Sequence, residues 1–266
     1  MAEILKALRE SGEAEETIVM FLSDHGMPLP FAKTQLYHHS TRTPLIVKWP
    51  GVTQAGVVDE RHMVSAVDLL PTILEAAGLP VPEGVDGRSF APSLGGQALD
   101  GREAVFKEYN ESAGRSRNPM RGVETREYLY LFNPWSDRKR LMGTATNGTA
   151  TWKTMLKLAR NDEAIAARVD LMRFRVLEEL YHVKTDPDCL RNLVDEPKHA
   201  EALELLRAMM LDWMDDTGDH AHQTMRHRDD PKVREAYMAK VTAEVRARSP
   251  KKGKKKRKPK PAKGKG

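Results

Sequence analysis

Three residues near the start of the chain have types and spacing that could do chemistry. Asp24 and His25 stand side by side, and Lys33 follows on the next connection. A carboxylate suits a hard cation, and an imidazole can act as a second ligand or as a hydrogen-bond partner. The element that must position them comes just before. Ile18, Val19, Met20, Phe21 and Leu22 form an apolar run that ends abruptly in Ser23, Asp24, His25 and Gly26. A run of that length, bounded by polar residues and glycine, predicts a buried strand of a parallel sheet. Open α/β sheets bind ligands outside the carboxyl ends of their strands, where Asp24 and His25 would sit. A polar strand end that only caps the following turn would read the same way.

Pro28 and Pro30 stiffen the backbone after Gly26, so Lys33 lies on a segment tied down at its start. Leu45-Ile46-Val47-Lys48 then forms a second short strand, stopped by Pro50-Gly51. An acidic metal ligand beside a fixed lysine suits an anionic substrate, because cations both bind the anion and stabilise charge that develops on it.

These segments together resemble the C-terminal part of a sulfatase. The resemblance rests on residues 17–26, on Lys33, on the run Ser40-Thr41-Arg42-Thr43-Pro44-Leu45-Ile46-Val47-Lys48-Trp49-Pro50-Gly51, and on Val67-Asp68-Leu69-Leu70-Pro71-Thr72-Ile73-Leu74. Residues 179–188, with Asn192-Leu193, look like a late strand and turn of the same family, and residues 24–37 are most similar to its heparan N-sulfatase-like branch. The likeness runs from about residue 3 to about residue 220. It implies an alkaline-phosphatase-like α/β fold with a small antiparallel sheet and helix subdomain. It implies hydrolysis of sulfate esters or sulfamates on sulfated carbohydrate. Asp24 and His25 match positions that help hold the family's calcium ion, Lys33 matches the cation that contacts the sulfate, and Arg42 matches a recurrent arginine that is as readily structural as substrate-binding. His38 lies close by as a further candidate for substrate contact. Against the N-sulfatase pattern, His25 and Lys33 stand in place of Asn and Arg.

One family feature has no match in these 266 residues. Sulfatases use a formylglycine nucleophile made within Cys-x-Pro-x-Arg or Ser-x-Pro-x-Arg. The single cysteine, in Asp188-Cys189-Leu190-Arg191-Asn192, does not fit, and no serine does. The acidic pairs Asp215-Asp216 and Asp229-Asp230 lie in charged, helix-like stretches and read as solvated faces. The expectation is therefore one wall of a sulfatase site, with half of a calcium site, to be completed by an N-terminal half. The alternatives are a related phosphodiesterase-type hydrolase, or a non-catalytic remnant or polyanion-binding protein.

The net charge of +5 belongs to one end. Residues 251–266 hold ten of the 43 Lys and Arg and no acid, which leaves 33 basic residues against 38 acidic ones. That Lys-, Pro- and Gly-rich tail cannot bury apolar surface, so it is expected to be disordered and to make weak polyanion contacts. Nothing approaches ~18 consecutive apolar residues, so no membrane span is expected. Residues 1–10 predict an amphipathic helix with Ile4, Leu5 and Leu8 as its buried stripe and lack the apolar core of a signal peptide. Family members are usually periplasmic, secreted or lysosomal; this sequence carries no address of its own.

The predicted organisation is a portion of the α/β catalytic domain over 1–110, a subdomain of antiparallel strands and helices over 111–248, and the tail over 249–266. Asp68 to Gly78 predicts a helix, and 105–109 a return to the main sheet. Residues 120–127 and 128–133 predict paired strands, and Tyr181-His182-Val183 a further one. Residues 151–176 and 197–216 predict helices, the latter with Leu203, Leu206, Met210 and Trp213 on one face.

Overall fold

The structure, a computed structural model, describes residues 1–99, 101–111 and 117–248. The lysine-rich tail and its predicted disorder lie outside these. The chain opens with α1 (Ala2–Glu10) and β1 (Val19–Leu22), passes one turn of helix, α2 (His38–Thr41), and returns as β2 (Leu45–Lys48). Next come α3 (Leu69–Ala76) and α4 (Ala91–Leu94), then strands β3 (Val105–Glu111), β4 (Arg117–Glu124) and β5 (Tyr128–Phe132). Helices α5 (Ala150–Leu158) and α6 (Glu163–Phe174) precede β6 (Glu178–His182). The described part ends with α7 (Ala200–Asp216), α8 (His222–Arg226) and α9 (Pro231–Arg248).

The strands form two separate sheets. β1 and β2 pair antiparallel, with Phe21 opposite Ile46 and Leu22 opposite Leu45. The predicted parallel, buried strand is thus corrected. The connection from β1 to β2 carries only the single turn α2 and doubles back, which sets the strands antiparallel. Their apolar side chains are only partly covered, since Phe21 is 40% and Ile46 62% exposed. Helix α1 forms as predicted, but Leu5 and Leu8 are only partly covered and Ile4 points to solvent.

The second sheet is antiparallel in the order β3-β4-β5-β6, and holds the main core. The predicted pairs over 120–133 and the strand at Tyr181 are found here. Residues 105–109 do not return to the first sheet. They form the edge β3, which pairs with β4 from Val105↔Glu124 to Glu111↔Arg117 and crosses residue 110. Leu203, Leu206, Met210 and Met214 of α7 pack on this sheet, while Trp213 lies to one side and stacks on Phe106 with ring centroids 5.1 Å apart.

Buried Asp68 anchors the segment between the sheets. Its carboxylate accepts from the backbone N–H of Ser65 (2.7 Å) and of Arg88 (2.9 Å) and pairs with Arg102 at 2.5 Å. It therefore caps the turn before α3 and not α3 itself. The chain crosses closely at this point, and a Cβ on Gly87 would lie 2.0 Å from the carbonyl oxygen of Val67. Among the described residues, no helix is long and apolar enough to cross a membrane.

Candidate functional site

Asp24 and His25 follow β1 on an exposed stretch and bond mainly to each other. The backbone N–H of His25 donates to Asp24 Oδ1 (2.7 Å), and His25 Nε2 stands 3.2 Å from Asp24 Oδ2. His25 Nδ1 lies 2.9 Å from the carbonyl of Gly26, and Ser23 Oγ donates to the carbonyl of His25. The carboxylate faces solvent and is held by its neighbour. Calcium takes about six to eight oxygen ligands. Asp24 can supply one edge of such a shell, with His25 orienting the carboxylate, but no cluster of three or more His, Cys, Asp or Glu side chains exists among the described residues. The pair fits as part of a cation site and does not complete one.

Lys33 is half-buried, in a loop whose flanks hold unusual backbone. Phe31 and Thr34 both have φ of 60°. Such a conformation is disfavoured for a β-branched or bulky residue, costs on the order of 1–3 kcal/mol, and persists only where the surroundings impose it. Here they do so from far along the chain. Thr34 Oγ1 lies 2.6 Å from Thr144 Oγ1 and accepts from the N–H of Ala145. Thr146 Oγ1 donates to the carbonyl of Leu29 (3.1 Å), Ser40 Oγ donates to that of Phe31 (2.8 Å), and the Arg168 guanidinium lies 3.7 Å from the Phe31 ring centre.

The loop then enters the core at Tyr37. The Tyr37 hydroxyl donates to Glu179 Oε2 at 2.7 Å and accepts from Arg175. Glu179 is fully buried, and also accepts from Tyr181 (2.6 Å) and Asn133 (2.8 Å). Burial and the neighbouring carboxylate push the Tyr37 phenol well above its ordinary range, so it stays a donor. Arg175, which ends α6 with φ of 55°, is itself 1% exposed.

His38 is buried in α2, with Nδ1 2.8 Å from Glu124 Oε1; the other oxygen of Glu124 takes Lys107. Burial is the largest influence at both partners of that ion pair. It draws the Lys107 ammonium down despite Glu124, whereas at Glu124 the donors His38 and Lys107 outweigh it and hold the carboxylate below its usual range. An ionised carboxylate only accepts, so His38 Nδ1 carries the proton and Nε2 faces exposed Arg42, 3.5 Å away. Among the described residues, neither Asp24 nor His25 bonds to Lys33, His38 or Arg42. The structure thus groups the candidates in three places along one segment: the strand end, the strained loop and the turn of helix.

Sequence reasoning missed Glu124, Lys107, Tyr37, Arg175 and Glu179. The one available signal was an acid inside an apolar strand, Glu179 between Leu177 and Leu180, because such acids are buried only when paired.

The region with this geometry matches a known family model. Residues 24–142 match the C-terminal region of N-sulphoglucosamine sulphohydrolase. The chain is 30% identical over 228 residues to the human (Homo sapiens) N-sulphoglucosamine sulphohydrolase, covering 81% of this chain and 45% of that protein. The chain belongs to the sulfatase family. It is also 27% identical over 229 residues to an ulvan-active sulfatase of Formosa agariphila, covering 82% of this chain and 36% of the relative. A solved 2-O GAG sulfatase superposes with a TM-score of 0.59 at 25% identity, over 87% of this chain and 43% of that one. The chain therefore spans less than half the length of the sulfatases it matches, and its fold is that of a C-terminal part of an alkaline-phosphatase-like sulfatase. In that fold the four-stranded antiparallel sheet with α7 packed on it is the small subdomain expected from the sequence.

Proposed function

We propose that this chain forms the C-terminal wall of a sulfatase site that hydrolyses sulfate esters or sulfamates on sulfated carbohydrate. The observation that carries the reading is Lys33. A cation sits on a loop held in strained backbone by residues 144–146 and by Arg168, inside the segment that matches the N-sulphoglucosamine sulphohydrolase model. A fixed ammonium binds a sulfate and stabilises negative charge on the oxygen that leaves, with no reorganisation at the moment of reaction. Asp24, oriented by His25, would give one oxygen to a calcium ion, which when bound adds positive charge against the sulfate. Arg42 and His38 lie on the same segment as secondary substrate contacts.

The nucleophile is not among these residues. Cys189 is the single cysteine, it lies outside any Cys-x-Pro-x-Arg context, and burial pushes its thiol up to about 12. A thiol so placed is inert. We therefore assign the nucleophile and the remaining calcium ligands to a complementing N-terminal half. The lysine-rich residues 251–266 add weak, salt-sensitive contact with polyanions, which heparin retention of intact and tail-deleted chain across a salt gradient measures.

The test is complementation. The chain alone should release no sulfate from an aryl sulfate or from N-sulphoglucosamine. Mixed or co-expressed with the N-terminal half of a sulfatase that carries Cys-x-Pro-x-Arg, it should turn over, and Lys33→Ala should lower kcat/KM by at least about 100-fold, as loss of one transition-state cation does. Turnover by the chain alone, or complemented activity indifferent to Lys33, would overturn the reading.

A further inference from the structure

The strained loop at Lys33 is tied most deeply by three residues, Tyr37, Arg175 and Glu179, to which the sequence assigned no role. Tyr37 enters the core at the end of the loop, directly before α2. Its hydroxyl sits between Arg175, at the end of α6, and Glu179, in β6, both fully or almost fully buried. Glu179 has its other oxygen on Asn133 and shares Oε2 with Tyr181, so it cannot follow Tyr37 if the loop moves. Arg175 lies over the Tyr37 ring at 4.7 Å and over the Phe31 ring at 5.7 Å from the ring centres, so one guanidinium touches both ends of the segment that contains Lys33. Arg168 of the same helix covers Phe31 from 3.7 Å and donates to the carbonyl of Cys189 (2.7 Å). A loop with two residues at positive φ relaxes unless its ends are fixed. These contacts fix them from residues more than a hundred positions away.

We propose that Tyr37, Arg175 and Glu179 are positioning residues: they form a buried clamp that keeps the loop at 31–34 in its strained form, and so hold the Lys33 ammonium in one place for the sulfate. This rests on the reading of Lys33 as the sulfate-binding cation. The clamp itself touches neither sulfate nor calcium. Its role is to remove the conformational search that a lysine on a free loop would make before binding.

The same sheet supplies the control. Tyr130 is also fully buried, and its hydroxyl also donates to a carboxylate, Glu178, but it contacts Met225 and not the loop. Tyr37→Phe and Tyr130→Phe each remove one hydroxyl from a buried tyrosine that donates to a glutamate, Glu179 fully buried and Glu178 partly so. In the full chain, amide hydrogen exchange over residues 31–35 should rise at least tenfold in Tyr37→Phe and stay within twofold of native in Tyr130→Phe. With lysines carrying ¹³C-dimethyl labels, the Lys33 signal should shift on titration with inorganic sulfate, and Tyr37→Phe alone should weaken that response at least threefold. Should Tyr37→Phe fail to fold, Arg168→Met frees Phe31 at a partly exposed position and should give the same selective rise in exchange. Equal effects of the two tyrosine variants would overturn the proposal and reduce the clamp to ordinary core. A native Lys33 signal indifferent to sulfate would overturn the reading of Lys33, and the exchange contrast would still decide whether the clamp exists.

Discussion

Nδ1 of His38 stands 2.8 Å from Oε1 of Glu124, with both side chains buried. This contact ties the helical turn beside the candidate site to the second sheet, and it makes one carboxylate answer for two cationic or donor groups, since Lys107 occupies the other oxygen.

Removing that carboxylate should be costly. Glu124→Ala strands a buried ammonium and a buried imidazole N–H, which typically destabilises by about 3–5 kcal/mol. Equilibrium urea unfolding would measure it. Adding Lys107→Met to Glu124→Ala should recover part of the loss, because an apolar replacement of both partners leaves no charge uncompensated. A loss under about 1 kcal/mol would show that water reaches the pair.

Acid should unfold the protein through its paired glutamates. At Glu178 burial raises the pKa, but the hydrogen bonds from Arg207 and Tyr130 and the charge of Arg228 outweigh it, and the carboxylate is held below its usual range, as at Glu124. The folded pKa values therefore lie below the unfolded value of about 4.3. Between the two, the unfolded chain binds more protons, so the stability from these groups is complete above the unfolded pKa and is lost as pH falls through the folded pKa. Urea midpoints should decline steeply below about pH 4, and Glu178→Gln should make that decline shallower.

Cys189 should be chemically silent in the native chain. Its thiol is 1% exposed and burial pushes it up to about 12, so almost no thiolate forms at pH 8. Labelling by a disulfide reagent should run at least about 100-fold slower in buffer than in concentrated urea, where the thiol regains its ordinary pKa. Fast native labelling would refute the burial and reopen Cys189 as a reactive group.

Gly87→Ala should loosen the joint between the two sheets. The new methyl would meet backbone, the Val67 carbonyl at 2.0 Å, which cannot rotate aside as a side chain would. A loss of about 1–3 kcal/mol is expected, with the first increase in hydrogen exchange near Asp68 and the start of α3. Thermal unfolding and exchange together would read it.

The second sheet was largely legible in the sequence, because the apolar run at 128–133 is a local signal and α7 shows its face at Leu203, Leu206 and Met210, although β4 spans Arg117–Glu124 and not the predicted 120–127. The strand before Asp24 was placed correctly along the chain but given the wrong neighbour. A continuous apolar run does not say which strand pairs with it, and the return over β2 made the pair antiparallel. The site was legible as residue types on one segment. What fixes that segment was not: Arg175, Glu179 and Glu124 reach it across 86 to 142 positions, and a contact of that separation leaves no periodic trace.

The two charged halves of the site rest on supports of different stiffness. The loop that carries Lys33 is tied to the core through Phe31, Thr34 and Tyr37, whereas Asp24 and His25 hang from a ribbon of two short strands whose Phe21 and Ile46 meet solvent. A two-stranded ribbon is marginal by itself. A cation arriving at Asp24 would therefore find its ligand present for only part of the time, and its measured affinity would fall by that fraction. On the proposed reading of the site, a second surface that stiffens β1 would tighten cation binding at Asp24 without touching the ion and would leave sulfate binding at Lys33 unchanged.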